Sequence, residues 1–446
     1  MNGAAAAATS IPGRLTGSLS VWSATAVVVG TIIGSGIYRV PATVALEAGS
    51  PIIMFALWGL GGVIALAGAL SLAELGSVFP RAGGIYVFMK EAYGPLAAFL
   101  FGWGMLVVNP AAYAAVAVIF AAAVSTLVPL SSAGIRYVAA AMLVSLVLIN
   151  CRSVRFGAVI QNASTGAKVL VLVGLSVIGL IAGGADAANI AAAVERSGWG
   201  SFGIALIAVM FAYDGWQWLP QLAAEVREPT RTIPRAMGAG VLVVILVYFL
   251  VNAANVRVLG FEGVATSSLV TGEVATRVFG IAGTTVVAAL IAVSTFSSNN
   301  GGFMTDPRVF FAMAEDGLFF RSVAAIHPRY GTPHVAVVVT GAVALVYVFF
   351  STFERMAATL ILGMWPFLAL SVWSVFRLRR TRPDMIRPFS VPLYPWLPGF
   401  FLLACVFLFT NSLATAPLMT LLNFGILGAG IPIFFLWRVV RVQRAI

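Results

Sequence analysis

Twelve long apolar runs follow one another along the 446-residue chain, and they constrain its fold more than any other feature. A helix of about 20 apolar residues crosses the hydrocarbon core of a bilayer, because it satisfies its own backbone hydrogen bonds there. A membrane barrel would instead need alternating segments of about ten residues. We therefore predict an all-α, multi-pass membrane protein whose solvent is the lipid bilayer. The predicted spans are 21–46, 51–79, 95–128, 133–150, 157–183, 199–224, 235–258, 278–302, 333–351, 355–377, 396–412 and 417–437.

The distribution of positive charge predicts the orientation. Only 9% of the residues are charged, against about 25% in soluble proteins, and the net charge is +11. With the N-terminus inside, nineteen Lys and Arg residues fall on the predicted inner side, six fall on the outer side, and Lys168 falls within a span. An excess of Lys and Arg marks the cytoplasmic side. We expect a protein of the cytoplasmic membrane with both termini cytoplasmic, and no nucleic-acid partner.

The chain is predicted to form one transmembrane domain over residues 1–446. Residues 1–18, rich in alanine, are expected to be a cytoplasmic tail. Residues 396–437, spans 11 and 12, are expected to be an appendage. The longest inner connections, around residues 79–95 and 303–333, contain short amphipathic stretches that are predicted to lie on the membrane surface.

Cysteine and histidine are too scarce to predict a metal centre. The chain has two cysteines, Cys151 and Cys405, and two histidines, His327 and His334, which fall in one loop. None of these residues has the spacing of metal ligands, and two cysteines do not make a disulfide framework. No metal, no cofactor and no enzymatic residue set is expected.

Two of the predicted spans are interrupted near mid-depth. Span 1 contains Gly34 and Gly36, and span 6 contains Asp214 followed by Gly215, about 180 residues later. Each break opens a run of five predicted spans, an odd number, so the two halves would have opposite topology. Broken helices at matching positions are typical of the central site of a transporter. The alternative is close packing of helices through small residues.

Backbone groups at the first break are suited to a carboxylate. The outer half of span 1 would begin there and present its N–H groups, at the positive end of the helix dipole. The candidate donors are Gly34, Ser35 and Gly36, and the Ser35 hydroxyl would add another.

Backbone carbonyls at the two breaks are suited to an ammonium group. The candidates are those of Ile32 and Ile33 in span 1 and of Phe211 and Ala212 in span 6. Helix C-terminal ends favour positive charge. With the donors at the first break, they predict a receptor for a zwitterion, that is, an α-amino acid.

Lys168 lies about 15 Å into the predicted fifth span. An ammonium group in hydrocarbon is costly, which makes an intramembrane lysine a functional hypothesis. Its charge would lie against the span 1 carbonyls in place of a sodium ion, or would carry a coupling proton. The alternative is that the side chain snorkels to the inner interface past Asn162, Ser164 and Thr165.

Asp214 is the second charge within a span, and three interpretations remain open. It contacts a cationic substrate side chain, it pairs with Lys168 or a polar neighbour, or it faces a wet vestibule. The sequence does not choose between them.

Other polar and aromatic residues are candidates for the substrate path. Asn109, beside Pro110, predicts a polar kink in span 3, and Tyr113 lies one turn further on. Ser298 belongs to a polar patch in span 8, and Phe211 at the second break is a candidate gate. The alternative for the polar residues is a hydrogen bond between helices, worth about 0.6 kcal/mol on average.

Glu74 and Glu225 fall where spans 2 and 6 meet the predicted cytoplasmic side. Carboxylates at this level face the many Arg residues of the inner loops. We predict that they anchor these loops electrostatically.

Six motifs, in order, resemble the amino acid–polyamine–organocation superfamily over nearly the whole chain, in particular bacterial relatives of the L-type amino acid transporters. They comprise residues 29–38, 73–76 with 80–84, 211–216, 225–229 with Arg231 and 233–234, 294–299 and 387–392.

The resemblance implies two inverted repeats, 20–184 and 199–378, with broken spans 1 and 6. It also implies a substrate site at residues 32–36 and 211–214. Lys168 matches a lysine that occupies the place of a sodium ion in sodium-independent members. The implied function is sodium-independent transport of amino acids by alternating access, as an exchanger. The alternative is a proton-coupled carrier of amino acids or polyamines.

Two departures refine these expectations. Light subunits of heteromeric transporters carry a cysteine between spans 3 and 4 that links a heavy chain, and residues 128–136 contain none. No disulfide-linked heavy chain is therefore expected. Members that resemble this chain in having Asp at position 214 accept cationic as well as neutral amino acids.

Overall fold

The computed structural model describes residues 17–152, 154–184, 189, 199–267, 269–350, 353–415 and 417–443. The predicted tail, residues 1–18, lies outside the described residues except for its last two. The described chain is helical and contains one isolated bridge, between Leu19 and Val226.

Nine described helices are long and apolar enough to cross a membrane, and a tenth span is formed by two helices that meet at 48°. Two further helices, His334–Phe350 and Phe353–Thr381, lie at the predicted spans 9 and 10 and complete the twelve. The predicted all-α membrane fold is confirmed. In chain order, spans 1 to 6 are Val21–Ile32 with Gly36–Ala48, Pro51–Val78, Pro95–Val107 with Asn109–Ser125, Ser132–Arg152, Val154–Ala182, and Trp199–Ala212 with the 3₁₀ helix Trp216–Glu225. Spans 7 to 12 are Pro229–Thr266, Ile281–Thr305 with Pro307–Glu315, His334–Phe350, Phe353–Thr381, Trp396–Thr415, and Pro417–Gly428 with Gly430–Gln443.

The start of span 2 illustrates how the sequence sets these bounds. Gly49 ends the preceding helix in the left-handed conformation, at φ 70°. Ser50 then caps the next helix, accepting a hydrogen bond from the Ile53 N–H, and Pro51 occupies the first helical turn. A side-chain cap and a proline at this position both suit a helix N-terminus, where backbone N–H groups lack partners.

One predicted surface segment is buried instead. The short helix Pro307–Glu315, within the 303–333 connection, has all of its residues from Pro307 to Ala314 buried. It continues span 8 through Asp306, whose backbone is helical (φ −62°, ψ −36°). The prediction that this stretch lies on the membrane surface is wrong, because its apolar face packs into the bundle and its cation, Arg308, finds a buried partner.

Glu74 and Glu225 each form an ion pair with an arginine from a distant part of the chain. Arg308 Nε and Glu225 Oε1 are 2.7 Å apart, and each side chain is about 1% exposed. Arg379 donates two hydrogen bonds to Glu74, at 2.6 and 2.9 Å. The Val391 N–H, in the connection after span 10, donates to Glu74 as well. Glu74 thus anchors the connection after span 10, as predicted, whereas Glu225 joins span 6 to the helix that continues span 8.

Candidate functional site

The two breaks contact each other backbone to backbone. A Cβ atom at Gly36 would lie 2.9 Å from the Cα atom of Ala212. Gly215 has φ +122°, and a Cβ atom there would lie 2.9 Å from the carbonyl carbon of Thr31. The Thr31 hydroxyl donates to the Gly215 carbonyl across the contact, at 3.2 Å. Only glycine permits this approach and this conformation, so both breaks depend on their glycines.

Lys168 reaches the first break from span 5. Its ammonium donates to the carbonyl oxygens of Gly30 and Ile33, at 2.6 and 2.5 Å, and its side chain is fully buried. The snorkelling alternative is therefore wrong for this structure. The side-chain nitrogen occupies a site made of backbone carbonyls, the kind of ligand that hard cations take.

Span 8 also contributes donors to the first break. Ser294 Oγ donates to the Ile33 carbonyl at 3.1 Å, and Ser298 Oγ donates to the Thr31 carbonyl at 3.2 Å. Ser298 thus makes the hydrogen bond between helices that the sequence offered as its alternative. Its place in a substrate path stays a prediction.

Tyr248 of span 7, which the sequence analysis missed, contacts both breaks. Its hydroxyl donates to the Ala212 carbonyl at 2.7 Å and lies 3.2 Å from the Ile32 carbonyl oxygen. The Phe211 carbonyl accepts from the Asp214 N–H at 3.3 Å. In this structure, partners within the chain therefore occupy carbonyls that were predicted to hold a substrate ammonium. A tyrosine within an apolar run carried no positional signal.

The predicted site residues line two separate cavities. Ser35 lines a cavity of about 390 Å³ between spans 1, 3 and 8 and the helix Val270–Phe279. Asn109, Phe211 and Asp214 line a second, much smaller one of about 30 Å³, between spans 3, 6 and 10. Gly34 donates its N–H to the Ile32 carbonyl within the break, at 2.8 Å.

Asp214 is half-buried and does not pair with Lys168. Its Oδ1 accepts a hydrogen bond from Gln217 Nε2 at 3.0 Å, and the residue lines the second cavity. Asp214 therefore both pairs with a polar neighbour and faces a cavity. No described cation bonds to its carboxylate.

Asp306 is a buried carboxyl group that the sequence analysis did not single out. It lies within span 8, directly before Pro307, is 1% exposed, and its Oδ2 accepts hydrogen bonds from Tyr113 and from Asn109. Thr305 Oγ1 lies 3.3 Å from its Oδ1. Asn109 was predicted at a polar kink and Tyr113 along the substrate path. Both side chains hydrogen-bond to span 8 through Asp306. The signal was present in Asp306-Pro307, which was assigned to a loop.

Among the described residues, no group of three or more His, Cys, Asp or Glu side chains is placed to hold a metal ion.

Residues 19–431 match the family model described as amino acid permease. This chain belongs to that family. It is 32% identical to the serine/threonine exchanger SteT of Bacillus subtilis, over 92% of this chain and 94% of that protein. It is 30% identical to the human cystine/glutamate transporter, over 92% and 83%. It is 31% identical to the rat b(0,+)-type amino acid transporter 1, over 88% and 81%.

The predicted family is confirmed by these matches. Its members named here are exchangers and transporters of amino acids, which confirms the prediction of a membrane transporter of amino acids rather than an enzyme. These relatives are named for different amino acids, from serine and threonine to cystine and glutamate.

Proposed function

We propose that this protein exchanges amino acids across the cytoplasmic membrane without sodium, by alternating access around its two broken spans. Both termini are on the cytoplasmic side in this proposal, as the excess of Lys and Arg favours. Residues 20–184 and 199–378 are its inverted repeats. The support comes from the family and from the contact between the two breaks at Gly36 and Gly215.

The observation that carries sodium independence is the contact of Lys168 with the Gly30 and Ile33 carbonyls. A sodium ion needs several oxygen ligands, and carbonyls at the end of a broken helix are typical ones in transporters. Here a covalently attached ammonium takes that position and remains there through every cycle. The transport cycle then requires no binding or release of an external cation.

The substrate occupies the region between the two breaks. Its carboxylate binds the N–H groups at Gly34, Ser35 and Gly36, and its ammonium binds carbonyls among Ile32, Ile33, Phe211 and Ala212. Because several of these groups have partners within the chain in this structure, substrate binding replaces those hydrogen bonds.

The side chain of the substrate extends into the cavity lined by Asp214. A carboxylate without a described cation partner favours a cationic side chain, so we propose that both neutral and cationic amino acids are carried. Phe211 acts as the gate, and Asn109, Tyr113 and Ser298 border the path.

We propose that the protein works without a disulfide-linked heavy chain. Residues 128–136 contain no cysteine. Cys405 is buried, and Cys151 is half-buried with its thiol 3.6 Å from the His334 carbonyl oxygen. Neither thiol is a free outer-loop group that a second chain would reach.

Uptake into liposomes containing the purified full-length protein tests the proposal. Labelled serine, leucine and arginine are offered to vesicles that are empty or preloaded with unlabelled amino acid. Exchange predicts uptake of neutral amino acids only into preloaded vesicles, unchanged by sodium or by a pH gradient. Uptake of a neutral amino acid into empty vesicles, driven by an inward proton gradient, would contradict exchange and favour Lys168 as the proton carrier.

A further inference from the structure

The carboxyl group of Asp306 is enclosed by neutral hydrogen-bond donors. Its Oδ2 accepts from Tyr113 and Asn109, and Thr305 Oγ1 lies 3.3 Å from its Oδ1. Arg308, two residues further on, bonds instead to Glu225. Hydrogen bonds stabilise the ionised form of a carboxyl group, while burial without a cation opposes it. Opposing effects of this kind produce a group that changes protonation state readily.

A substrate does not contact this carboxyl group directly. Asp306 is 1% exposed, and Tyr113 and Asn109 cover its Oδ2. Asn109 and Gln221 line the adjoining cavity, and Gln221 Oε1 is buried without a described hydrogen-bond partner. Polar side chains therefore separate Asp306 from the cavity, and the Tyr113 hydroxyl, which bonds to both Asn109 and Asp306, is the group among them that can donate and accept a proton.

Asp214 borders the same cavity and lies within electrostatic range of Asp306. Two carboxyl groups that interact do not titrate independently. A cationic side chain beside Asp214 offsets one negative charge, which favours ionisation of the other group. A neutral side chain there offers no such compensation.

The other charged groups near this end of span 8 already have partners. Lys168 bonds to carbonyls, Glu225 bonds to Arg308, and Asp316 pairs with Lys90 at 2.5 Å. Other titratable side chains on the helices packed against Pro307–Glu315 include Tyr86, Glu91, Tyr93, Glu315, Arg321, His334 and Tyr347.

We propose that Asp306 binds a proton when the transported amino acid is neutral and releases it when the amino acid is cationic. The net charge of the occupied site is then the same for both substrates. The proton passes between the Asp306 carboxyl group and the solution on whichever side the cavity is open. The inference rests on the proposed exchange of neutral and cationic amino acids.

The balance for one cycle follows directly. Arginine binding from outside releases the Asp306 proton to the outside, and arginine crosses with Asp306 ionised. Serine then binds inside together with a proton, and both cross outward. One positive charge enters as arginine, one leaves as a proton, and no net charge moves.

The experiment uses liposomes of the full-length protein that enclose serine and a pH-sensitive dye. Adding arginine should make the lumen more alkaline by one proton for each arginine taken up, at a rate independent of the membrane potential. Exchange of serine for serine should move no protons. Arginine uptake without a change in lumen pH would overturn the inference, whereas absence of serine–serine exchange would overturn the proposed function itself.

Variants test whether Asp306 is the group that binds the transported proton. Asp306→Asn should lower the ratio of protons to arginine from one to zero and make the remaining arginine flux depend on membrane potential. Asp306→Glu, which keeps a carboxyl group, should retain the ratio of one. Glu315→Gln, an exposed acid further along span 8, is the matched control and should also retain it. A ratio of one in Asp306→Asn would overturn the assignment, and the wild-type ratio remains decisive if that variant does not fold.

Discussion

Lys168 and Asp306 are both buried ionisable residues, but they differ in the groups to which they bond. The ammonium of Lys168 lies against the carbonyls of Gly30 and Ile33 at the first break. The carboxyl group of Asp306 meets hydroxyl and amide donors, with no described cation bonded to it. The first region is electrostatically complete without a ligand, whereas the charge of the second depends on what occupies the cavity.

Glu225 and Arg308 provide a reference for both regions. They are as deeply buried as Lys168 and Asp306, and they neutralise each other in a bidentate pair. Fully paired charges of this kind serve structure, so we expect their loss to affect stability first and transport second.

The largest effect is expected for Glu225→Gln. Removing one partner of a buried ion pair leaves the other charge uncompensated, at about 3–5 kcal/mol. Thermal unfolding in detergent should show this loss, while Asp306→Asn, which removes an unpaired charge, should cost less than about 1 kcal/mol. Equal destabilisation by both variants would contradict the claim that the paired carboxylate of Glu225 contributes more to stability than the unpaired one of Asp306.

Lys168→Met is expected to abolish most transport. The apolar side chain of similar length leaves carbonyls at the first break without their donor, and about 3 kcal/mol of lost stabilisation corresponds to a rate about a hundredfold lower. Serine–serine exchange in liposomes measures it. Lys90→Met, at a half-buried pair with Asp316, is the control and should change the rate by less than about threefold. Full activity of Lys168→Met would exclude the surrogate-cation role.

Asp214→Asn is expected to change selectivity. If the carboxylate binds a cationic side chain, loss of a charge-assisted hydrogen bond of about 1.5 kcal/mol lowers arginine uptake about tenfold. Leucine and alanine uptake should be spared. An equal loss for arginine and leucine would instead indicate that the bond between Gln217 and Asp214 is structural.

The smallest effect is expected at Glu91, a half-buried carboxylate outside the spans. Burial raises the pKa of Glu91, but hydrogen bonds from Arg382 and Arg81 outweigh it and hold the pKa below its ordinary value. The stabilisation is therefore present above the unfolded-state pKa and is lost as pH falls through the lower folded-state value. Glu91→Gln should cost less than about 1 kcal/mol at neutral pH, and melting curves of variant and wild type should converge in acid.

The sequence predicted the spans well because hydrocarbon imposes one requirement on every residue of a span. The break at Gly34 and Gly36 was predictable for the same reason, since glycines stand out within an apolar run. Lys168 stood out as a charge where charge is costly.

Partnerships between distant residues were not predictable. Tyr248 looked like any aromatic residue of span 7, and its contact with Ala212 depends on how the helices pack. Asp306 and Arg308 were assigned to a loop, because polar residues after an apolar run normally mark the membrane surface. Burial of Arg308 follows from Glu225, which lies 83 residues away in the sequence.

The central claim is that the ammonium of Lys168 replaces an external cation. The most direct test compares the initial rate of serine–serine exchange by the wild-type protein in sodium chloride and in choline chloride, at equal ionic strength and pH. The account predicts equal rates, because Gly30 and Ile33 already hold a cation. A rate that rises with sodium concentration and saturates would show that a sodium ion binds, and would contradict the claim that Lys168 replaces an external cation.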